Sequence, residues 1–225
     1  IIEAQSNNAL AYHKLGLIAH KTGNNQVAAE LLLKAITLNP SSSETYFDRG
    51  VVLQELREFE DAILSYQKAV HIKQDYVEAH NNMGTALREL GNIEDAVSSY
   101  RKAINIEADY SAAHSNLGLA QHELGNLNDA LDHFERALNI TRDIAEIHYN
   151  YGNVLQEVGR LEEAATSYEV ALHINPQLPE ANSNLGLTLR DLGRLEEARD
   201  SYLKALAIDP NLAETRHNLG MLQLS

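Results

Sequence analysis

The sequence predicts an all-α solenoid of paired helices, and three observations carry that reading. Seven glycines, Gly16, Gly50, Gly84, Gly118, Gly152, Gly186 and Gly220, recur every 34 residues. Two alanine ladders keep the same period: Ala28, Ala62, Ala96, Ala130, Ala164 and Ala198, then Ala35, Ala69, Ala103, Ala137, Ala171 and Ala205. Between the alanines of each pair stands a bulky residue: Leu32, Tyr66, Tyr100, Phe134, Tyr168 or Tyr202. A period of this length belongs to a helix–turn–helix unit that cannot bury its apolar face alone and stacks on its neighbours.

Each element has a local signal. In the first helix of a unit, the glycine falls within a helical pattern such as Tyr12, Leu15, Gly16, Ala19. Glycine there costs about 1 kcal/mol relative to alanine, so a close approach by a neighbouring helix is expected to offset it. A second glycine set, Gly23, Gly91, Gly125, Gly159 and Gly193, follows seven residues later and suits a left-handed helix end. Arg57 holds its missing rung. In the second helix, alternating small and large residues on one stripe let neighbours interdigitate. Capping-box spacing marks helix starts at Ser41 with Glu44, Asp75 with Glu78, Asp143 with Glu146 and Asn211 with Glu214. Lys34, Lys68, Lys102, Arg136 and Lys204 fall near the end of the second helix, where the helix dipole favours a cation. Pro40, Pro176 and Pro210 close their units.

These residues resemble the tetratricopeptide repeat (TPR) family, whose pattern is Trp, Leu, Gly, Tyr on the first helix and Ala, aromatic, Ala, Pro on the second. Tyr151, Gly152, Ala164, Tyr168, Ala171 and Pro176 match those phases, as do Leu185, Gly186, Ala198, Tyr202, Ala205 and Pro210. The resemblance implies an all-α, right-handed TPR superhelical solenoid. Six repeats are expected at 9–42, 43–76, 77–110, 111–144, 145–178 and 179–212. Residues 1–8 read as the tail of a preceding repeat, and 213–225 as the unpaired helix of an incomplete seventh. Three features depart from the pattern. The Trp phase holds Tyr12, Tyr46, His80, His114, His148, Asn182 and Arg216; Gln74, Ala108 and Arg142 replace the closing proline; Arg49 stands at an apolar phase. The run is also similar to TPR regions of bacterial glycosyltransferases resembling O-linked N-acetylglucosamine transferase. That similarity implies inner-face asparagines that hold a polypeptide backbone.

Composition narrows the function. Eighteen Lys and Arg against 32 Asp and Glu leave a formal charge of −14, which opposes nonspecific binding to nucleic acid or an anionic membrane. There is no cysteine, hence no disulfide, thiolate nucleophile or Cys-ligated metal. No apolar run is long enough to span a membrane, and residues 1–8 lack the features of a signal peptide, so a cytoplasmic location is expected. His80, His114 and His148 recur once per repeat, on the order of 10 Å apart, too far to share one ion. No catalytic residue, metal ligand or cofactor is expected; the histidines read as packing residues.

The expected function is binding of a protein or peptide, neutral or basic, in a concave groove lined by the first helices. The polar contacts are expected from Asn82, Asn116, Asn150 and Asn184, with Asn81 and Asn153 interleaved. The same amides could instead bond between adjacent repeats. Phe47, Tyr149, Leu119 and Leu187 are expected to face the groove, with packing between first helices as the rival reading. No lysine stands at the inner phases, so capture of an acidic C-terminus is not expected. Glu55, Glu89, Glu123, Glu157 and Asp191 read as a solvated charged face, and Lys14 with Asp48 as an ion pair. Two alternatives stand beside a binding scaffold: the substrate-recruiting arm of a glycosyltransferase, and a homo-oligomer built through the solenoid ends, where Leu219, Leu222 and Leu224 lack a covering helix.

Overall fold

The computed structural model of the protein describes residues 2–222. Thirteen helices and no strand occur among them: α1 (Ile2–Lys21), α2 (Asn25–Leu38), α3 (Ser43–Glu55), α4 (Phe59–Ile72), α5 (Val77–Glu89), α6 (Ile93–Ile106), α7 (Ser111–Glu123), α8 (Leu127–Ile140), α9 (Ala145–Glu157), α10 (Leu161–Ile174), α11 (Pro179–Asp191), α12 (Leu195–Ile208) and α13 (Ala213–Leu222). From α3 onward, a 13-residue first helix, a three-residue turn, a 14-residue second helix and a four-residue connection make up the 34-residue period. The chain divides into two compact units between Ala120 and Gln121, within α7. In the first unit, α1 packs on α2, α3 on α4 and α5 on α6, and α2 and α4 also meet the next first helix. In the second unit, α9 packs on α10 and α11 on α12, with α8 on α9, α10 on α11 and α12 on α13.

The small-residue ladders do the packing expected of them. The first alanine of each second helix is fully buried, and so are Leu32, Tyr66, Tyr100, Phe134, Tyr168 and Tyr202 between the two ladders. The tyrosine ring lies against the glycine of the first helix. A Cβ on Gly50 would come within 2.5 Å of Tyr66, and one on Gly84 within 2.6 Å of Tyr100. Gly220 on α13 meets nothing within 4 Å. The second glycine set takes a left-handed backbone, and Arg57 adopts it too, at φ 62°. Arg57 and Glu58 donate back to Gln54 and Leu53, as Gly91 and Asn92 do to Arg88 and Leu87, so both ends close in the Schellman pattern.

Three local expectations need correction. The capping boxes do not form as spaced. The N-caps are Ser42, Tyr76 and Ile144, one residue later than Ser41, Asp75 and Asp143. Among these, only Ser42 caps with its side chain, accepting from the Thr45 N–H at 3.2 Å. Glu44, Glu78 and Glu146 therefore sit within the first turn, where the dipole still favours an acid. The cations Lys34, Lys102 and Lys204 precede the last turn of their helices, so the dipole acts on them only weakly, because it falls off within one turn. The boundary placed between residues 8 and 9 lies inside α1, which runs on from Ile2. Leu224 lies outside the described residues.

Candidate functional site

The face built by the first helices carries the amides. In the first unit, Asn116 donates to Asn81 Oδ1 at 3.0 Å, and Asn81 donates to Asn82 Oδ1 at 3.2 Å. Asn81 is buried by this and serves as a bridge, not as an open contact. Asn82 also bonds the Tyr66 hydroxyl, which donates to Gln54 Oε1 at 3.1 Å. Burial pushes the Tyr66 phenol far above its ordinary value, against the opposing effect of the Asn82 bond, so it stays a neutral donor. Asn82, Tyr66, Gln54, Val51 and Glu55 line a pocket of about 220 Å³. In the second unit, Asn184 donates to Asn153 Oδ1 at 2.9 Å. The Tyr168 hydroxyl lies 2.9 Å from both Asn153 Oδ1 and Gln156 Oε1, and Asn184 bonds it as well. Asn150 is half-buried on α9.

The apolar set is used largely for packing. Phe47 lies 5.9 Å from Tyr66 and 4.9 Å from Tyr76, ring to ring, and belongs to the edge of the core. Tyr149 lies 6.1 Å from Tyr168. Leu119 and Leu187 are half-buried. For Phe47 and Tyr149, the packing reading accounts for the side chain.

Lys14 and Asp48 do not pair. Asp48 is taken by His13, at 2.5 Å. The reason is register. Three side-chain pairs between stacked first helices stand 35 residues apart, one more than the sequence period: His13 with Asp48, His122 with Glu157 at 2.7 Å, and Asn81 with Asn116; Asn153 with Asn184 and Ser183 with Thr215 meet about one turn short of that, at 31 and 32. Glu55 follows the same rule with His20, at 3.5 Å, and also accepts from Asn25 at 2.9 Å. Glu55 and Glu157 are therefore bridges between repeats as well as solvated groups. Sequence reading missed His13, His20 and His122 because it compared like positions. The signal present was a histidine 35 residues before an acid in all three cases.

The Trp-phase histidines have one shared role. Nε2 of His80, His114 and His148 bonds the carbonyl of Gln74, Ala108 and Arg142, at 3.1, 3.0 and 2.9 Å. These are the three residues that replace the closing proline, so each histidine ties down the connection before its helix. Among the described residues, no group of three His, Asp or Glu could hold a metal ion, and no helix is long and apolar enough to cross a membrane.

Family models described as TPR repeat match residues 55–87, 84–125 and 186–225, and others described as tetratricopeptide repeat match 9–42, 31–63 and 109–177. The chain belongs to the tetratricopeptide repeat family. No curated protein matches it. Among solved structures, PilF of Pseudomonas aeruginosa is similar at 22% identity, covering 98% of this chain and 99% of that one, with a TM-score of 0.83. PilW, described as a widely conserved type IV pilus biogenesis factor, is similar at 18% identity over 96% of this chain and 98% of its own, with a TM-score of 0.81. YrrB, described as a TPR protein with an unusual peptide-binding site, is similar at 24% identity over 84% and 97%, with a TM-score of 0.69. At these identities the likeness establishes the TPR fold, an all-α stack of helix pairs, and TPR chains of this kind are protein-interaction scaffolds.

Proposed function

We propose that this TPR chain holds a segment of another protein against the face built by its first helices. The observation that carries the reading is the set of side-chain amides held along that face by Tyr66 and Tyr168: Asn82 with Asn116 in the first unit, Asn184 in the second. An amide donates and accepts at once, as a peptide backbone requires. The bond that Asn116 makes to Asn81 uses one N–H of two, and Asn184, which donates to Asn153 and to the Tyr168 hydroxyl, keeps its Oδ1 as an acceptor, so capacity for a ligand remains. Asn150 joins this set by its phase on α9. The pocket beside Asn82 suits a small side chain of the bound segment. Asp48, Glu55 and Glu157 on the same helices favour a neutral or basic segment over an acidic one. The peptide-binding description of YrrB, a similar fold, supports the reading.

The test is selection of peptides on the intact chain, followed by calorimetric titration against Asn82→Ala/Asn116→Ala and Asn150→Ala/Asn184→Ala variants. Selected peptides should lose at least tenfold in affinity for one of the two variants. Equal binding to the native chain and both variants defeats the proposal. The glycosyltransferase-arm alternative rests on the similarity of the repeat run and on the asparagine ladder; a nucleotide-sugar-binding domain in the same reading frame is the observation that would favour it. For self-association, α13 offers Met221, 55% exposed. Sedimentation over a concentration range decides it.

A further inference from the structure

The second helices leave a groove between consecutive repeats that the binding face above does not use. In the second unit it lies between α10 and α12 and encloses about 620 Å³. Leu172, Pro176 and Ile208 wall it, buried Asn182 and Leu185 form its floor, and exposed Lys204 stands at its rim. The same groove recurs three periods earlier between α4 and α6, at about 540 Å³, with His80, Met83 and Lys102 in place of Asn182, Leu185 and Lys204. Between α8 and α10 it shrinks to about 290 Å³, where His148, Tyr151 and Val170 hold those positions. The volume follows the floor. It is largest where the Trp phase carries its smallest of these residues, Asn182, and smallest where Tyr151 fills the adjoining position.

The first repeat shows how a ring at this phase meets the ladder cation of its own repeat. There the Trp phase is Tyr12, and the Nζ of Lys34 lies 6.0 Å from its ring centroid. Lys34 and Tyr12 stand five periods before Lys204 and Asn182. In this repeat the ladder cation sits over the ring that the chain supplies; in the second repeat Tyr46 supplies a ring at the same phase and Lys68 makes no such contact among the described residues. At the sixth repeat the chain supplies Asn182 instead, Leu172, Pro176 and Ile208 wall the groove beside Glu169 and His173, and Lys204 makes no ion pair among the described residues. An ammonium over an aromatic face is attracted by the ring quadrupole, most strongly for an indole. Asn182 Nδ2 donates to the Leu178 carbonyl at 3.2 Å, which keeps Oδ1 as an acceptor at the floor.

We propose that the groove between α10 and α12 takes an aromatic side chain from a partner protein, with its ring on Leu172, Leu185 and Ile208 and the Lys204 ammonium over its face. The volume lies within the range of small-ligand pockets, roughly 300–1,000 Å³. Its walls come from the second helices α10 and α12 and its floor from Asn182 and Leu185 of α11, so it uses none of the amides assigned above.

The chain contains no Trp, so all indole emission from a mixture belongs to an added probe. The probe is a nine-residue Ser/Gly/Gln peptide with one central Trp, titrated with the intact chain; the same peptide with Leu at the centre serves as competitor. A saturable blue shift is expected, displaced poorly by the Leu peptide. Asn182→Tyr places in the groove a ring that Tyr46 already carries at this phase, and it should weaken binding at least tenfold without lowering the thermal midpoint. Lys204→Gln should weaken it about fivefold. Asn82→Ala should leave it unchanged. No saturable shift, full binding by Asn182→Tyr, or loss on Asn82→Ala would overturn the inference. The last result would assign the probe to the first-helix face.

Discussion

Replacing Gly50 with alanine sets two opposed effects against each other, and the structure decides the sign. Alanine is the better helix former by about 1 kcal/mol. Its methyl, however, would stand 2.5, 2.7 and 2.9 Å from Cε1, Cδ1 and Cζ of Tyr66. That ring cannot swing aside. It is fully buried, lies against Phe47, and its hydroxyl is tied to Gln54. Overpacking of this kind costs about 1–3 kcal/mol, and three sub-van-der-Waals contacts with a held ring put it toward the upper end. The net expectation for Gly50→Ala is a loss of about 1–2 kcal/mol. With a urea slope of about 2 kcal/mol per molar, the unfolding midpoint falls by roughly 0.5–1 M. Hydrogen exchange should locate the loss in α3 and α4, because each repeat leans mainly on its neighbours. Gly220→Ala is the control. Nothing lies within 4 Å of its Cβ, so it should be neutral or stabilising, by up to about 1 kcal/mol. A Gly50→Ala protein as stable as the native one, or more so, would refute the claim that these glycines exist for ring contact.

Other outcomes follow from single residues. Arg57 pays for a left-handed backbone at φ 62° and keeps a ring contact 5.4 Å from Phe59; Arg57→Gly should raise thermal stability by up to about 1 kcal/mol, read by calorimetry. Burial holds the His80 imidazole below its ordinary value, assisted by Lys102 and opposed by the Gln74 carbonyl. The folded state thus disfavours the second proton, and Nδ1 is buried without an acceptor. Stability should be steady above about pH 6.5, where unfolded imidazole is neutral, and fall as pH drops from there through the folded value. His80→Tyr should flatten that slope in urea titrations from pH 7.5 to 5. A double-mutant cycle on His13→Gln and Asp48→Asn should show coupling of up to about 1 kcal/mol, and the corresponding cycle on Lys14→Gln and Asp48→Asn close to none; the reverse order would contradict the 35-residue register.

The repeat itself was legible because it is a local property. Glycine, alanine and bulky residues at fixed phases specify which stripe of each helix can come close, and burial of both ladders bears that out. The left-handed turns were legible for the same reason where glycine marks them; that Arg57 takes the same conformation is seen only in the folded backbone. What the chain could not disclose by itself was the offset between stacked helices. A period of 34 residues says that like positions recur, whereas packing slides one first helix against the next and joins position 13 to 48 and 122 to 157. Nor could spacing alone tell that Asn81 is enclosed while Asn82 borders a pocket, or that an asparagine at the sixth Trp phase leaves a space of about 620 Å³. Side-chain type along one helix is written in the chain; which side chain of the next helix it meets depends on how two surfaces interlock, and only the folded stack decides that.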